Sequence, residues 1–278
     1  MKTFLFCLLI AITGISWATE SENIAVTQAT IAQWMEGAEK GEARAQFNLG
    51  VAYQHGDSVE KNLEEAAKWY QKAAEQNLAQ AQFNLARCYQ DGLGVPQNLP
   101  NALAWYQKAA EQHKMEAQCN LGLLYLRGGK GVPRDEQKAV YWLTKAAEQG
   151  DTLAQTKLAQ CYMSGIGVPE NTKKAVQLLL QSAAKGDAEG QFLLAITILE
   201  KKPETAVKWL KSAAKKGHAD AQFVLGTLYF YGKHVPTSLA LSEQWMRKAA
   251  EQNQADAKAF LKQVPFNMLK GEGSHLIQ

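Results

Sequence analysis

Three short motifs follow one another in the first half of the chain: residues 81–89 read AQFNLARCY, residues 92–96 read GLGVP, and residues 102–110 read ALAWYQKAA. The alanine, leucine and tyrosine of the first motif are spaced four residues apart, which places them on one helical face. In the third motif, alanines and the tryptophan share a face in the same way. Glycine and proline between them end the first helix and turn the chain. The stretch therefore predicts a pair of helices.

This helix pair recurs along the chain, which decides the fold. The first motif begins at steps of 36, 36, 37, 36 and 31 residues, at Ala45, Ala81, Ala117, Ala154, Gly190 and Ala221. The tryptophan of the second helix recurs in the same phase as Trp34, Trp69, Trp105, Trp142, Trp209 and Trp245, with Leu178 in its place in the fourth copy. One helix pair cannot bury its apolar face alone, so stacked pairs are needed. The sequence predicts an all-α, right-handed α/α solenoid (superhelix) of about six helix-pair repeats, with aromatic side chains between the layers.

The predicted organisation has a segment at each end of the repeats. It comprises a signal peptide at 1–18, an N-terminal capping helix at 24–41, repeats within 42–253, a C-terminal capping helix at 254–264 and a tail at 265–278. The repeats are predicted at residues 42–77, 78–113, 114–150, 151–186, 187–217 and 218–253. Side chains that accept hydrogen bonds from free backbone N–H groups are expected to begin the second helices. These N-cap candidates are Asn62, Asn98, Asp135, Asn171 and Ser238.

The N-terminus has the features of an export signal. Lys2 precedes a short apolar stretch at residues 4–15, and Ser16 and Ala18 place small residues where a signal peptidase cleaves. We expect cleavage after Ala18 and a periplasmic or secreted protein; an uncleaved anchor is the alternative, although the stretch is short for a membrane span. The mature chain keeps Cys88, Cys119 and Cys161, an odd number that cannot all pair internally.

Composition excludes several classes of function. The chain has 278 residues, 46% hydrophobic and 21% charged, which is typical of a packed globular chain. A net charge of +3 is too close to neutral to point to nucleic acid. The five histidines are scattered, and no carboxylate set has ligand spacing, so neither a metal nor a cofactor is expected.

These recurring motifs resemble the Sel-one-like repeat family, a relative of the tetratricopeptide repeat with a longer Gly-Val-Pro loop. The resemblance covers roughly residues 24–261. It implies a protein–protein interaction scaffold or adaptor that binds a partner protein or peptide in the concave groove of the solenoid. Exported bacterial members are linked to envelope assembly or host contact. We expect a monomer without enzymatic activity.

The alternative is a cell-wall-active enzyme. Some cysteine-rich secreted relatives have been called β-lactamases or penicillin binders, and Ser-x-x-Lys, the nucleophile motif of β-lactamases, begins at Ser58, Ser182 and Ser212. No Ser-Asp-Asn or Lys-Thr-Gly motif accompanies them, and the regularly spaced cysteine pairs of those relatives are missing. The motif alone is loose, so the scaffold is the preferred interpretation.

The predicted binding site is the stripe of the first helices that faces away from their packed side. At 100° per residue, positions 3, 6 and 10 after the opening alanine lie on this stripe. The site residues are Asn48, Asn84, Arg87, Asn120, Arg127, Lys157, Leu193, Ile196, Val224 and Tyr231. Asparagines can pair with the backbone of an extended peptide, and exposed apolar residues mark a contact surface; ordinary solvated helix positions are the alternative for the asparagines.

Two further predictions concern the C-terminal part. Lys208, Lys211 and Lys215 share a helix face and could contact an anionic envelope surface, although a solvated outer face is the simpler interpretation. Apolar residues of the tail either dock on the apolar stripe or form a frayed end. These residues are Phe266, Met268, Leu269, Leu276 and Ile277.

Overall fold

The computed structural model describes residues 30–264 and residue 266, and the signal-peptide prediction falls outside this range. Residues 30–39 form helix α1. The next helices are α2 Ala43–His55, α3 Leu63–Glu75, α4 Ala79–Asp91, α5 Leu99–Glu111, α6 Met115–Arg127, α7 Glu136–Glu148 and α8 Thr152–Ser164. They are followed by α9 Thr172–Ala184, α10 Ala188–Ile198, α11 Pro203–Lys215, α12 Ala219–Tyr231, α13 Leu239–Glu251 and α14 Ala255–Gln263. Within the described range there is no β-strand, only an isolated bridge between Gly129 and Val132.

The chain divides into two compact units, Met1–Arg134 and Asp135–Gln278. In the first unit α2 to α6 pack in chain order, each helix against the next. In the second unit α7 to α14 pack in the same consecutive way. Packing of each helix on its chain neighbours is the pattern of a repeat solenoid. The predicted all-α solenoid of six helix pairs is confirmed.

All five predicted N-caps are confirmed. Asn62 Oδ1 accepts a hydrogen bond from the Glu65 N–H at 3.1 Å, and Asp135 Oδ1 accepts one from the Lys138 N–H at 3.0 Å. Asn98, Asn171 and Ser238 cap α5, α9 and α13 in the same way. The shortened fifth repeat is different. The side chain of its N-cap residue, Lys202, makes no capping hydrogen bond, and Pro203 begins α11. Proline suits this first helical position because its missing N–H has no helical partner there.

The loop between the two helices of a repeat lies against the repeat before it. Gly94 has a left-handed backbone with φ 72°, and a Cβ at this position would lie 1.9 Å from the Leu63 carbonyl oxygen. In the second unit Gly167 has the same geometry, with φ 68°, and a Cβ at this position would overlap the Glu136 carbonyl oxygen. Only glycine permits this close backbone contact. The Gly-x-Gly-Val-Pro motif therefore joins neighbouring repeats as well as turning the chain.

The repeated tryptophans are less buried than the sequence predicts. Trp69, Trp105 and Trp142 are all partly exposed, whereas the residue after each, Tyr70, Tyr106 or Leu143, is at most 1% exposed. The ammonium group of Lys72 lies 3.9 Å from the Trp69 ring centroid, and Lys108 covers Trp105 at 4.0 Å. The indole therefore lies at the rim of the core with one face toward solvent, because a lysine that covers an aromatic face keeps its ammonium group in water. The following position forms the centre of the core.

The ends of the described region close the stack. The opening helix α1 buries Ile31 and Ala38. At the other end Phe266 is 4% exposed and its ring lies 6.1 Å from Phe230 and 6.2 Å from Phe260. Phe266 therefore packs as part of the closing layer, while the other four tail residues named above lie outside the described residues. In the described part of the chain, no helix is long and apolar enough to cross a membrane.

Candidate functional site

In the first unit the predicted site residues divide into two groups. Arg87 on α4 and Arg127 on α6 are exposed, whereas Asn48, Asn84 and Asn120 are only partly exposed. The helical phase is thus right for the arginines, but the neighbouring helix covers part of each asparagine. The asparagines were expected to be free for a ligand, so their contacts matter for the site.

Asparagines of the stripe lie beside buried tyrosines of the preceding repeat. Asn120 Nδ2 donates a hydrogen bond to the Tyr106 hydroxyl at 3.3 Å. Burial raises the pKa of the corresponding tyrosine, Tyr70, the side chain of Asn84 lowers it in part, and the Tyr70 hydroxyl donates to Gln54 Oε1 at 2.8 Å. Burial raises the pKa of Tyr106 far above its ordinary value, and the Asn120 bond lowers it in part. Because an unpaired buried hydroxyl is unfavourable, these asparagines contribute to stability as well as facing the stripe.

A groove on the first-helix side of the first unit brings predicted site residues together. It has a volume of about 370 Å³ and is lined by Gln90 from α4 and by Asn120, Leu123 and Arg127 from α6, among others. Its walls combine an amide, an apolar side chain and an exposed guanidinium group. An arrangement of this kind can bind a polar backbone and a carboxylate together.

In the second unit the four residues of the predicted apolar stripe differ in exposure. Ile196 and Tyr231 are exposed, at 41% and 60% of their surface. Leu193 packs against the core cluster around Leu179, and Val224 packs against the cluster around Leu210. Leu193 and Val224 are partly buried, so one continuous exposed patch of the four side chains stays a prediction. A helical wheel gives the direction of a side chain but not the extent of the adjacent helices that cover it.

The cationic positions of the second unit have mixed roles. Lys157 is partly buried and its ammonium donates to Gln160 Oε1 at 3.1 Å. Lys208, Lys211 and Lys215 are all exposed on α11. Lys211 also lies 5.8 Å from the Tyr229 ring centroid. Contact of these three lysines with an anionic surface stays a prediction.

A row of buried glutamines is the feature that the sequence analysis missed. Each first motif carries a glutamine directly after its opening residue, and its amide donates to a backbone carbonyl of the preceding helix. Gln82 Nε2 binds the Ala74 carbonyl at 3.2 Å, and Gln112 from the following helix donates to Gln82 Oε1 at 2.7 Å. The six members are Gln46, Gln82, Gln118, Gln155, Gln191 and Gln222. The recurring Ala-Gln and Gly-Gln pairs could have revealed this row, because a polar residue repeated in a core phase needs a partner.

The serines of the enzyme alternative have structural contacts. Ser182 is fully buried, and its hydroxyl binds Thr156 Oγ1 at 2.8 Å and Asp187 Oδ2 at 2.9 Å. The lysine of its motif, Lys185, donates instead to the Gly150 carbonyl at 2.7 Å. Ser58 lies exposed in a loop, and Ser212 is partly buried on α11. The serine–lysine contact that such a nucleophile requires is therefore not formed at Ser182.

The cysteines of the described region are buried thiols. Cys88, Cys119 and Cys161 are buried, and none of these three forms a disulfide. Burial raises the pKa of Cys88 to about 11 and also raises that of Cys161. A thiol held protonated in a core is a poor nucleophile, so these residues act as small packing groups. Among the described residues, no group of histidine, cysteine or acidic side chains could hold a metal ion.

The fold and its repeated motif define a solenoid repeat protein of the kind that serves protein–protein interaction. A family-wide profile described as "Sel1 repeat" matches residues 43–78, 79–114, 116–151, 152–187, 188–218 and 219–254. These matches cover well over half of the chain. The chain belongs to the Sel1-repeat family.

Solved structures agree with this assignment. The chain is similar to c5321, a protective antigen of uropathogenic Escherichia coli with an SLR fold, at 35% identity and a TM-score of 0.78 over 85% of this chain and 52% of that one. It is also similar to a Sel1 repeat protein from Oxalobacter formigenes, at 33% identity and a TM-score of 0.69 over 79% of this chain and 96% of the other.

A shorter likeness links the chain to a eukaryotic regulator. It is 48% identical over 42 residues to the chitin synthase regulator SKT5 of Saccharomyces cerevisiae, which is 15% of this chain and 6% of SKT5. The chain spans about half of c5321 and a small part of SKT5, so what those names describe belongs to those proteins.

Proposed function

We propose that this chain is an exported adaptor that binds an extended segment of a partner protein on the first-helix side of its first unit. The observation that carries the proposal is the groove of about 370 Å³ that Gln90, Asn120 and Arg127 line. Arg87 stands exposed on the neighbouring helix α4. Sel1-repeat solenoids typically serve protein–protein interaction, which supports a polypeptide as the ligand.

The chemistry of the groove favours an acidic segment. Guanidinium groups are always charged and bind carboxylates through two parallel hydrogen bonds. The Asn120 amide nitrogen binds Tyr106, so the orientation of this amide is restricted before a ligand arrives. A side chain held in this way loses little freedom on binding, which favours affinity.

Selection from a random-peptide library on the immobilised protein tests the proposal. We expect enrichment of acidic peptides, and the variant Arg127→Glu should weaken their binding at least about tenfold, since reversing a charge opposite a carboxylate costs more than about 1.4 kcal/mol. Arg44→Glu is the matched control, because Arg44 is exposed on α2 and carries the same charge change. Equal binding to both variants would refute the site.

Export is part of the same proposal. The apolar stretch at residues 4–15 and the small residues before position 19 support it. N-terminal sequencing of the protein from its native compartment should give Thr19 as the first residue, and recovery of the chain with its first eighteen residues intact would contradict it.

A further inference from the structure

The fourth repeat lacks the tryptophan that every other repeat carries, with Leu178 in its place. Elsewhere this indole fills a defined space. Trp69 packs against a cluster formed by Ala38, Ala45 and Leu49, together with Tyr53. The corresponding surfaces in the fourth repeat are those of Ala147, Ala154, Leu158 and Tyr162. A leucine fills less of this space than an indole, so the fourth repeat has room for a further group.

An open pocket lies at this place in the second unit. It has a volume of about 790 Å³, and its lining includes Leu178 itself and three of the residues that would surround the indole, Ala147, Leu158 and Tyr162. The pocket is thus the site of the absent tryptophan, widened toward solvent. Its position follows from the sequence difference and from the repeated geometry together.

A second feature of the same pocket is an unpartnered glutamine oxygen, which the fourth repeat shares with Gln191 of the fifth among the described residues. In the second repeat the glutamine Gln82 receives a hydrogen bond on Oε1 from Gln112. The fourth repeat has Lys185 where that donor stands, and Lys185 turns to the Gly150 carbonyl. Gln155, which lines the pocket and is 3% exposed, keeps a buried Oε1 with no hydrogen-bond partner within the part of the chain that the structure describes. A buried acceptor of this kind is unfavourable until a donor reaches it.

We propose that this pocket binds a tryptophan side chain of a partner polypeptide. The other repeats show that the same surfaces receive an indole presented by a polypeptide chain. The bound segment also carries backbone N–H groups beside the indole, and one of these can serve as the donor to Gln155 Oε1. At the rim the Lys174 ammonium lies 5.3 Å from the Tyr162 ring centroid, so a cation stands beside the pocket. The site shares no residue with the proposed groove of the first unit, so either can fail alone.

The test is a titration of the full mature chain followed by NMR, with N-acetyl-tryptophanamide as the probe. We expect saturable shifts at Leu158, Tyr162 and Gln155 with a dissociation constant of about 0.1–1 mM, the range for a ligand of this size. N-acetyl-leucinamide should bind at least about tenfold more weakly. A blocked Gly-Trp-Gly peptide should bind as well as the amide.

Filling the pocket from within provides the control. Leu178→Trp should raise the melting temperature and abolish the probe shifts, because the new indole occupies the site. Ala184→Phe, at an exposed position of the lining, gives a second block if the first variant does not fold. Absence of saturable shifts in the unmodified chain, retention of them in the blocked variants, or equal binding of the leucine probe would overturn the proposal. Binding of free indole without binding of the peptide would also overturn it.

Discussion

The second repeat, α4 and α5, and the fourth, α8 and α9, are built from helices of the same length, thirteen residues each. The two repeats differ in the side-chain contacts between their helices. In the second repeat Phe83 and Tyr106 form an aromatic pair with ring centroids 5.9 Å apart. At the corresponding places the fourth repeat has Thr156 and Leu179.

The fourth repeat replaces that aromatic contact by a polar one. Thr156, Ser182 and Asp187 form a polar cluster whose oxygens lie 2.8 to 2.9 Å apart and share the two hydroxyl hydrogens. Asp187 Oδ2 also accepts from the Gly190 N–H at 2.7 Å, so the cluster caps α10 as well. The comparison teaches that the repeated motif sets the helices and their order. The side chains packed between the helices decide whether the interior of a repeat is filled, as in the second, or leaves a pocket, as in the fourth.

The largest effect on stability should come from a substitution in the core of the second repeat. Tyr106 is fully buried, contacts Phe83 and binds Asn120, so Tyr106→Ala should lower the free energy of unfolding by about 3–5 kcal/mol. Leu179→Ala at the corresponding place of the fourth repeat should cost less, about 2–4 kcal/mol, because a smaller side chain is lost. Urea unfolding followed by circular dichroism measures both.

The exposed Gln107 provides the control, since Gln107→Ala should change stability by less than about 0.5 kcal/mol. Because repeats contact only their neighbours, the Tyr106 variant should also separate unfolding into steps. A greater loss in Leu179→Ala than in Tyr106→Ala would contradict the view of the second repeat as the better packed one.

A smaller effect should distinguish the two glutamines. Gln82→Leu removes bonds to the Ala74 carbonyl and Asn77 and leaves Gln112 with only its bond to Asn77, which should cost about 1–3 kcal/mol. Gln155→Leu also loses two bonds, to Ala147 and Gln181, but it removes an acceptor that already lacks a partner. We expect its cost to be smaller by about 1 kcal/mol, measured by the same urea titrations. Equal costs would remove the difference that we draw between these repeats.

Sequence patterns were sufficient for the parts of the fold that depend on local chemistry. The helices, their order and the caps such as Asn62 and Asp135 follow from spacing and from side chains that bind a nearby N–H. The surroundings of the candidate site residues depend on contacts between helices, which a pattern along one helix does not contain. Arg87 and Arg127 are exposed, whereas Asn120 reaches Tyr106 of the preceding helix.

The remaining differences come from the offset between neighbouring helices, which no single helix encodes. A wheel of α12 directs Val224 away from its own packed side, but the adjacent helices extend far enough to contact it. The same limit applies to the tryptophans, which mark the repeat clearly and yet lie at its rim. The burial of the following residue, for example Tyr106, depends on how closely two helices approach.

The smallest predicted effect is an increase in stability. It comes from a substitution that gives the fourth repeat the hydrogen bond seen in the second. Lys185 and Gln112 both end their helices with similar backbone angles, φ −79° and −85°, so a glutamine fits at position 185 without strain. Lys185→Gln should place a donor against Gln155 Oε1, as Gln112 does against Gln82 at 2.7 Å. The new bond satisfies a buried acceptor at the loss of an exposed contact to Gly150, so we expect stabilisation of about 0.5–1.5 kcal/mol. Lys215→Gln, an exposed position on α11, controls for the loss of one positive charge and should change little. Thermal and urea unfolding of the two variants provide the measurement. If Lys185→Gln is no more stable than Lys215→Gln, the unpartnered oxygen of Gln155 has no appreciable cost in stability. The pocket of the fourth repeat is then due only to Leu178.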